Sequence, residues 1–232
     1  MPAATVAVVH TAPVTIEPLK SCFARLLPEV RVINIADDSL IADVLAAGGV
    51  TKAVARRMLS YFSVAESMGV DVILNACSSV GETVDLAQAL ISVPIVKIDE
   101  AMAEKAVELG STIAVVATAR TTLDPTVRLI RNKAGARGKA VGVSGTVVPG
   151  AFECLLAGKG EEHDWLVLTK IREAAETADV VVLAQASMAR LIPRLEGGVH
   201  VPVLSSPELG VARVRQVLEE RASPVGRKGA AQ

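Results

Sequence analysis

The chain has 232 residues, of which 51% are hydrophobic and 2% aromatic, and a formal net charge of −1; at about 150 residues per domain this length suits one large domain or two small ones. The near-neutral charge and the few aromatic side chains argue against a nucleic-acid-binding protein, which needs positive charge and stacking surfaces. Because every apolar run is shorter than the roughly 18 residues of a membrane span, and no basic stretch precedes the first run, we expect a cytoplasmic protein without membrane contact.

Strand-like and helix-like segments alternate along the whole chain. Short β-branched runs bounded by Gly, Pro or Asp predict buried parallel strands at 5–10, 31–35, 70–74, 94–97, 112–117, 139–144, 179–183 and 201–204. Between them, segments such as 17–27 and 51–68 place apolar side chains on one face at helical spacing, and a last helix is predicted at 207–221. This alternation predicts βαβ units and parallel sheets covered by helices.

The chain repeats its own sequence at an offset of 107 to 108 residues. The segment 5–15, TVAVVHTAPVT, matches 112–122, TIAVVATARTT; 71–79, DVILNACSS, matches 179–187, DVVVLAQAS; and 93–96, VPIV, matches 201–204, VPVL. We therefore predict an α/β fold of two pseudo-symmetric Rossmann-like lobes, each with a four-stranded parallel sheet in the order 2-1-3-4, and an active site in the crevice between them. The first lobe is predicted at 1–100 plus 205–221, the second at 101–204, and a disordered tail at 222–232.

The polar residues that follow each strand form the candidate site, because ligands of open parallel sheets bind beyond the carboxyl ends of the strands. They are His10, Thr11, Asn75, Cys77, Ser78 and Ser79 in the first half, and Thr118, Thr121, Thr122, Gln185, Ser187 and Met188 in the second. In the repeat, Gln185 is the equivalent of Cys77, and Ala117 is the equivalent of His10. Most of these side chains are small and carry hydroxyl groups, which indicates a small polar acid as the ligand.

Cys77 is the candidate catalytic residue, since it is the cysteine predicted at a strand end. At the expected start of a helix, unpaired N–H groups and the helix dipole lower the pKa of a thiol and favour the thiolate. The same donors suit a carboxylate, so the pattern indicates proton transfer at the carbon next to that carboxylate. The alternative is that Cys77 is a small buried apolar residue, as most free cysteines are. Cys22 and Cys154 lie in apolar surroundings, and the cysteine spacing predicts neither disulfides nor a metal site.

The segments NACSSVGE around Cys77 and VVLAQASM around Gln185, the pair His10-Thr11 and the two-lobed repeat resemble the aspartate/glutamate racemase superfamily over essentially the whole chain. The resemblance implies that one cysteine from each lobe flanks the Cα of the substrate, that one removes a proton and the other donates one, and that no cofactor is used. Cys77 matches the first of these cysteines. Gln185 stands at the place of the second, and an amide neither gives nor accepts a proton usefully near neutral pH. The resemblance thus implies a cofactor-independent racemase or isomerase, in a single-cysteine form, that acts α to a carboxylate or carbonyl.

Three alternatives remain open from the residues. A single cysteine also suits a cofactor-free decarboxylase or a cis-trans isomerase of the same superfamily. A non-catalytic protein that binds small carboxylates needs the donors and no reactive thiol. A thiol hydrolase or transferase would use Cys77 together with His10.

The remaining expectations concern other titratable groups and partners. His10 ends the strand next to that of Cys77, so it is predicted either to assist the thiol or to be a buried, hydrogen-bonded histidine. His163 is predicted to be solvated at a helix start, and Asp99 and Glu100 to form the acidic first turn of a helix. We expect a small-molecule carboxylate or amide as the substrate, no nucleic-acid partner, and a homo-oligomer.

Overall fold

The computed structural model describes residues 3–195 and 197–223 of the chain. The chain divides into two compact units, of which the first contains the residues up to Ile98 and those from Pro207 onward, and the second contains Asp99–Ser206. The tail predicted at 222–232 lies, after Ser223, outside the described residues. None of the described helices is long and apolar enough to cross a membrane.

The first unit is built around a four-stranded parallel sheet in the order β2-β1-β3-β4. Its strands are β1 Thr5–His10, β2 Arg31–Ala36, β3 Val72–Asn75 and β4 Ile95–Lys97, and its helices are α1 Ile16–Leu26, α2 Ser39–Ala47, α3 Lys52–Ser67, α4 Glu82–Ala87 and most of α9 Ser206–Ala222. The side chain of Thr51 accepts a hydrogen bond from the N–H of Val54 at 3.2 Å, so α3 begins after a capping residue. On one face of the sheet, Val9 and Ile73 pack in a buried cluster with Met58 and Phe62 of α3.

Helix α9 completes the first unit although it follows the second unit in sequence. Glu208 forms an ion pair with Arg25, and the guanidinium of Arg215 donates to the carbonyl of Leu26 at the end of α1. Gly210 allows close backbone contact, since a Cβ at this position would lie only 2.7 Å from the carbonyl oxygen of Ile98. The segment 207–221, predicted as a helix, is therefore an integral part of the first unit.

The second unit repeats this architecture with the sheet order β6-β5-β7-β8, again all parallel. Its strands are β5 Thr112–Ala117, β6 Gly142–Val147, β7 Val180–Leu183 and β8 Val203–Ser205, and its helices are α5 Glu100–Leu109, α6 Arg120–Ala136, α7 Ala151–Leu156 and α8 Gly160–Ala175. The predicted order 2-1-3-4 and the two four-stranded parallel sheets are thus confirmed in both halves of the repeat.

Of the eight described strands, β6 differs most from its predicted bounds: the prediction is 139–144, and the observed strand is Gly142–Val147. Lys139 is held before the strand, because its Nζ donates to the carbonyl oxygens of Val107 and Gly110 at 2.5 and 3.0 Å. Pairing with β5 begins only at Gly142, which lies opposite Thr112. The charged residue at the start of the predicted run therefore belongs to the connection and not to the sheet.

Candidate functional site

Cys77 lies just beyond the carboxyl end of β3, as predicted. It has an extended backbone, with φ −141° and ψ 118°, and precedes a short 3-10 helix at Ser78–Val80. Six-residue helix α4 follows this turn. Cys77 is partly accessible, whereas Ser78 and Ser79 beside it are buried. The chain thus presents a thiol at the strand edge and keeps its two serine neighbours in the interior.

Burial raises the pKa of the Cys77 thiol above its ordinary value. Hydrogen bonds from the side chain of Thr11, from Ser79 and from the N–H of Val80 oppose this rise but do not cancel it. The lowered pKa that we expected from a helix start is therefore wrong in direction. A three-residue 3-10 turn carries little of the dipole of a long helix, and packing around the sulfur dominates. At neutral pH the resting group is the thiol, surrounded by donors that stabilise a thiolate once it forms.

Asn75 supports the turn that carries Cys77. It is fully buried at the end of β3, and its amide Nδ2 donates to the carbonyl oxygen of Cys77 at 3.1 Å. Its Oδ1 is also buried, and none of the described residues donates to it. Asn75 therefore holds the main chain of Cys77 in place and does not bind its sulfur.

His10 does not bind the thiol. It is fully buried, and its two ring nitrogens lie 2.7 Å from Thr15 Oγ1 and 2.9 Å from Asn34 Oδ1. Oδ1 of Asn34 can only accept, so a neutral ring donates from Nε2 to Asn34, and its Nδ1 accepts from the hydroxyl of Thr15, which also lies 3.0 Å from the carbonyl oxygen of Ala12. Burial lowers the pKa of His10, although the hydrogen bond with Asn34 opposes this. Of the two readings of the sequence, the buried, hydrogen-bonded histidine is the one observed, and its ring ties β2 to the turn after β1.

In the second unit, Gln185 is bound at both ends of its amide to one residue, Thr118. The N–H of Thr118 donates to Oε1 of Gln185, and Nε2 of Gln185 donates to Oγ1 of Thr118, each at 2.7 Å. Thr118 is only 5% exposed, while Gln185 is partly accessible. The first unit has the equivalent pair, since Thr11, which the repeat aligns with Thr118, hydrogen bonds to Cys77.

The other candidates of the second unit divide into two groups. Thr121 and Thr122 lie in the first turn of α6, where the preceding residue, Ala119, provides no side-chain cap. The hydroxyl oxygen of Thr121 is buried, and no described residue hydrogen bonds to it. Ser187 and Met188 lie in the 3-10 segment after β7, and Met188 is buried in the core of this unit. Thr121 therefore has a hydroxyl group available for a ligand, whereas Met188 packs in the core.

An ionic cluster around the buried carboxylate of Asp164 in the second unit was not predicted from the sequence. Asp164 on α8 accepts from Nδ1 of His163 at 2.8 Å, from both terminal nitrogens of Arg190 at 2.5 and 2.6 Å, and from Arg194 at 2.8 Å. Hydrogen bonds from Arg190 and His163 lower the pKa of Asp164 against the effect of burial. The expectation that His163 is solvated is wrong, since only 3% of it is exposed. Arg190 and Arg194 are four residues apart, which is the one signal in the sequence that these cations share a face.

A second ionic cluster lies at the edge of the first unit, after β2. Asp37 accepts hydrogen bonds from Arg57 and from the hydroxyl of Tyr61, and from the N–H and hydroxyl of Ser39. Desolvation of the carboxyl is outweighed by these bonds, so its pKa lies well below the ordinary value. Asp99 and Glu100 open α5 as expected, and Glu100 pairs with Lys133. Among the residues described, no group of three or more His, Cys, Asp or Glu side chains is arranged to hold a metal ion.

The chain was compared with curated proteins and with solved structures. No curated protein matches the sequence significantly. The solved structures that share the fold include a glutamate racemase from Bacillus anthracis (14% identity, TM-score 0.71, covering 95% of this chain and 84% of that chain), an allantoin racemase from Klebsiella pneumoniae (18%, 0.66, 93% and 88%) and an aspartate racemase from Picrophilus torridus (14%, 0.69, 92% and 94%). At these identities the likeness establishes the fold.

The family itself follows from the sequence match. The model of the Asp/Glu/hydantoin racemase family matches residues 11–214, a span that includes both Cys77 and Gln185. It also includes the Thr11 and Thr118 partners of these residues. The chain therefore belongs to the Asp/Glu/hydantoin racemase family.

Proposed function

We propose that the protein catalyses cofactor-independent proton transfer at the carbon α to a carboxylate or carbonyl of a small polar acid or amino-acid derivative, with Cys77 as the group that moves the proton. The observation that supports this proposal is the hydrogen bonding of Cys77, whose thiol receives donors from Thr11, Ser79 and the N–H of Val80 at the carboxyl end of a parallel strand. Donors of this kind have no packing function for an apolar cysteine, but they stabilise a thiolate.

The reaction as an isomerase starts from the Cys77 thiolate. The thiolate takes the proton from Cα, and the electron pair of the C–H bond enters the neighbouring carboxyl group to give an enediolate. Hydrogen-bond donors aimed at the enediolate oxygens stabilise this species more than the substrate, which lowers the barrier. The planar enediolate turns its other face to Cys77, and the thiol then returns a proton to Cα, which inverts the configuration and regenerates the thiolate. Only proton transfer is needed, so the proposal requires neither a redox group nor an electron sink.

A second candidate, a decarboxylase of the same superfamily, is favoured by the resting state of the thiol. Burial raises the pKa of Cys77, so the group is protonated before substrate binds. In this reaction the bond between Cα and a carboxylate breaks, its electron pair stays on Cα as an enediolate, carbon dioxide leaves, and the thiol of Cys77 supplies the proton. One proton donor is enough, which also suits the replacement of a second cysteine by Gln185.

Deuterium incorporation tests the proposal. Wild-type protein is incubated in D₂O with the separate enantiomers of aspartate, glutamate and allantoin, and with 2-substituted malonates, and the Cα–H signal is followed by NMR. We expect deuterium at Cα for at least one probe, and complete loss of this activity in Cys77→Ser. The matched controls are Cys22→Ser and Cys154→Ser, which remove the other thiols and are expected to retain it.

Two outcomes would contradict the proposal. Incorporation that survives in Cys77→Ser would exclude this thiol as the proton carrier. The absence of incorporation with every probe, together with tight binding of one of them, would instead support a carboxylate-binding protein without catalysis.

A further inference from the structure

The pair formed by Gln185 and Thr118 differs from the equivalent pair of the first unit, Cys77 and Thr11, in the direction of the hydrogen bond between the two side chains. In the first unit, the hydrogen bond between the Thr11 side chain and Cys77 lowers the pKa of the thiol, which is the effect of a donor to the thiolate. In the second unit the direction is reversed, because the amide nitrogen of Gln185 has only protons to offer and Thr118 Oγ1 must accept one of them. The same threonine position therefore has opposite polarity in the two units.

The hydroxyl proton of Thr118 is thereby directed away from Gln185. A hydroxyl has one proton and two lone pairs, and one lone pair is used by the bond from Nε2 of Gln185 at 2.7 Å. The other hydrogen-bond donor of this residue, its N–H, is bound to Oε1 of the same amide at 2.7 Å. No described residue accepts the hydroxyl proton, although only 5% of Thr118 is exposed.

The surroundings of Thr118 favour a negatively charged acceptor. Thr118 lies two residues before the start of α6, a helix of 17 residues to which the intervening residue, Ala119, provides no side-chain cap. The positive end of the helix dipole attracts anions. The buried hydroxyl oxygen of Thr121 in the same turn also lacks a partner among the described residues.

We propose that Gln185 is a positioning residue that holds the Thr118 hydroxyl as an obligatory hydrogen-bond donor to a carboxylate or enediolate oxygen of the ligand. This inference rests on the proposed function, since it assumes a carboxylate ligand. It assigns to Gln185 an action through Thr118, in place of the proton transfer that a cysteine would perform there.

Gln185→Glu separates this role from a merely structural one. A glutamate has the same size and still accepts the N–H of Thr118, but its carboxylate can only accept from Oγ1, so the hydroxyl proton turns toward residue 185. If the pair only joined the segments after β5 and β7, this variant would keep both hydrogen bonds and change little. If Gln185 sets the polarity of Thr118, the donor to the ligand is lost.

The measurement is the affinity of the full-length protein for malonate, determined by calorimetry, with D-glutamate as a second probe. We expect Thr118→Val and Gln185→Glu each to weaken binding by about tenfold or more, the usual effect of losing a hydrogen bond to a charged group. Thr118→Ser retains the hydroxyl and should rescue binding. Gln88→Glu, which adds the same charge at an exposed position of the first unit, is the matched control.

The double variant distinguishes polarity from charge repulsion. If Gln185 acts through Thr118, adding Gln185→Glu to Thr118→Val causes no further loss of affinity, whereas repulsion between two carboxylates would weaken binding in both backgrounds. Unchanged affinity in Gln185→Glu, a further loss in the double variant, or a wild-type protein that binds neither probe at millimolar concentration would each overturn the inference. The affinity measurement requires no turnover, so a failure of the proposed catalysis remains distinguishable from a failure of this inference.

Discussion

Replacing Thr11 by Val removes the side-chain hydrogen bond to the Cys77 thiol while nearly preserving the volume of a residue that is only 3% exposed. A hydrogen bond to an ionised group contributes about 1.5–3 kcal/mol, and one pKa unit corresponds to about 1.4 kcal/mol. Thiolates accept weaker hydrogen bonds than carboxylates do, so the lower end of this range applies. We therefore expect the pKa of Cys77, already raised by burial, to rise by about one further unit.

The assay is the rate of iodoacetamide alkylation of Cys77 as a function of pH, followed by mass spectrometry of the peptide so that Cys22 and Cys154 do not interfere. Below the pKa, the rate at a given pH should fall about tenfold in Thr11→Val, because the thiolate fraction falls by that factor. Thr11→Ser should retain the wild-type profile. Thr83→Val is the matched control, since the Thr83 hydroxyl donates to the carbonyl of Val80 in the same turn and is not among the donors to the sulfur. An unchanged or lower midpoint in Thr11→Val would refute the role given to this hydroxyl.

Three further predictions follow from the site and its supports. Gln185→Cys should give the second unit a group that can transfer a proton, so that exchange of Cα–H in D₂O becomes accompanied by inversion, measured by chiral chromatography; exchange without inversion in this variant would contradict a racemase-type site. His10 has a lowered pKa, so its contribution to stability is present above the ordinary value of 6.5 and is lost as the pH falls below it. In His10→Gln, the free energy of unfolding in urea should therefore depend less on pH between about pH 6.5 and 5. A pH profile like that of the wild type would count against this. Asp164→Asn should lower the free energy of unfolding by about 2 kcal/mol, less than for a fully buried pair because Arg190 and Arg194 are half exposed, and an unchanged denaturation midpoint would contradict it.

The strand positions could be predicted from the sequence because parallel strands buried on both faces are apolar runs with sharp ends. Strands β1 and β5 begin and end at the predicted residues, and the repeat transfers this register from one half of the chain to the other. The polar residues that follow β3 and β7 are likewise found at the strand ends, where the topology requires them. Local pattern and overall fold agree at these places.

The electrostatic state of the site could not be predicted in the same way. The pKa of Cys77 depends on how closely the chain packs around the sulfur, and this packing comes from segments distant in sequence. The environment of His163 depends on Arg190, which is 27 residues further along the chain and brings Asp164 into the interior. The attachment of Gln185 to Thr118 spans 67 residues and is invisible to any local pattern. Ion pairs and hydrogen bonds between distant segments therefore cannot be predicted from local sequence patterns.

The position of α9 has a consequence for the order in which the protein can form during synthesis. The second unit is an insertion within the first, since residues 99–206 are complete before the helix that closes the first unit has left the ribosome. Domains fold as units once their residues are available. The half that carries Gln185 can therefore fold first, while the half that carries Cys77 waits for Gly210 and Arg215 to reach Ile98 and Leu26. The unit that is first to leave the ribosome is thus the last to be completed.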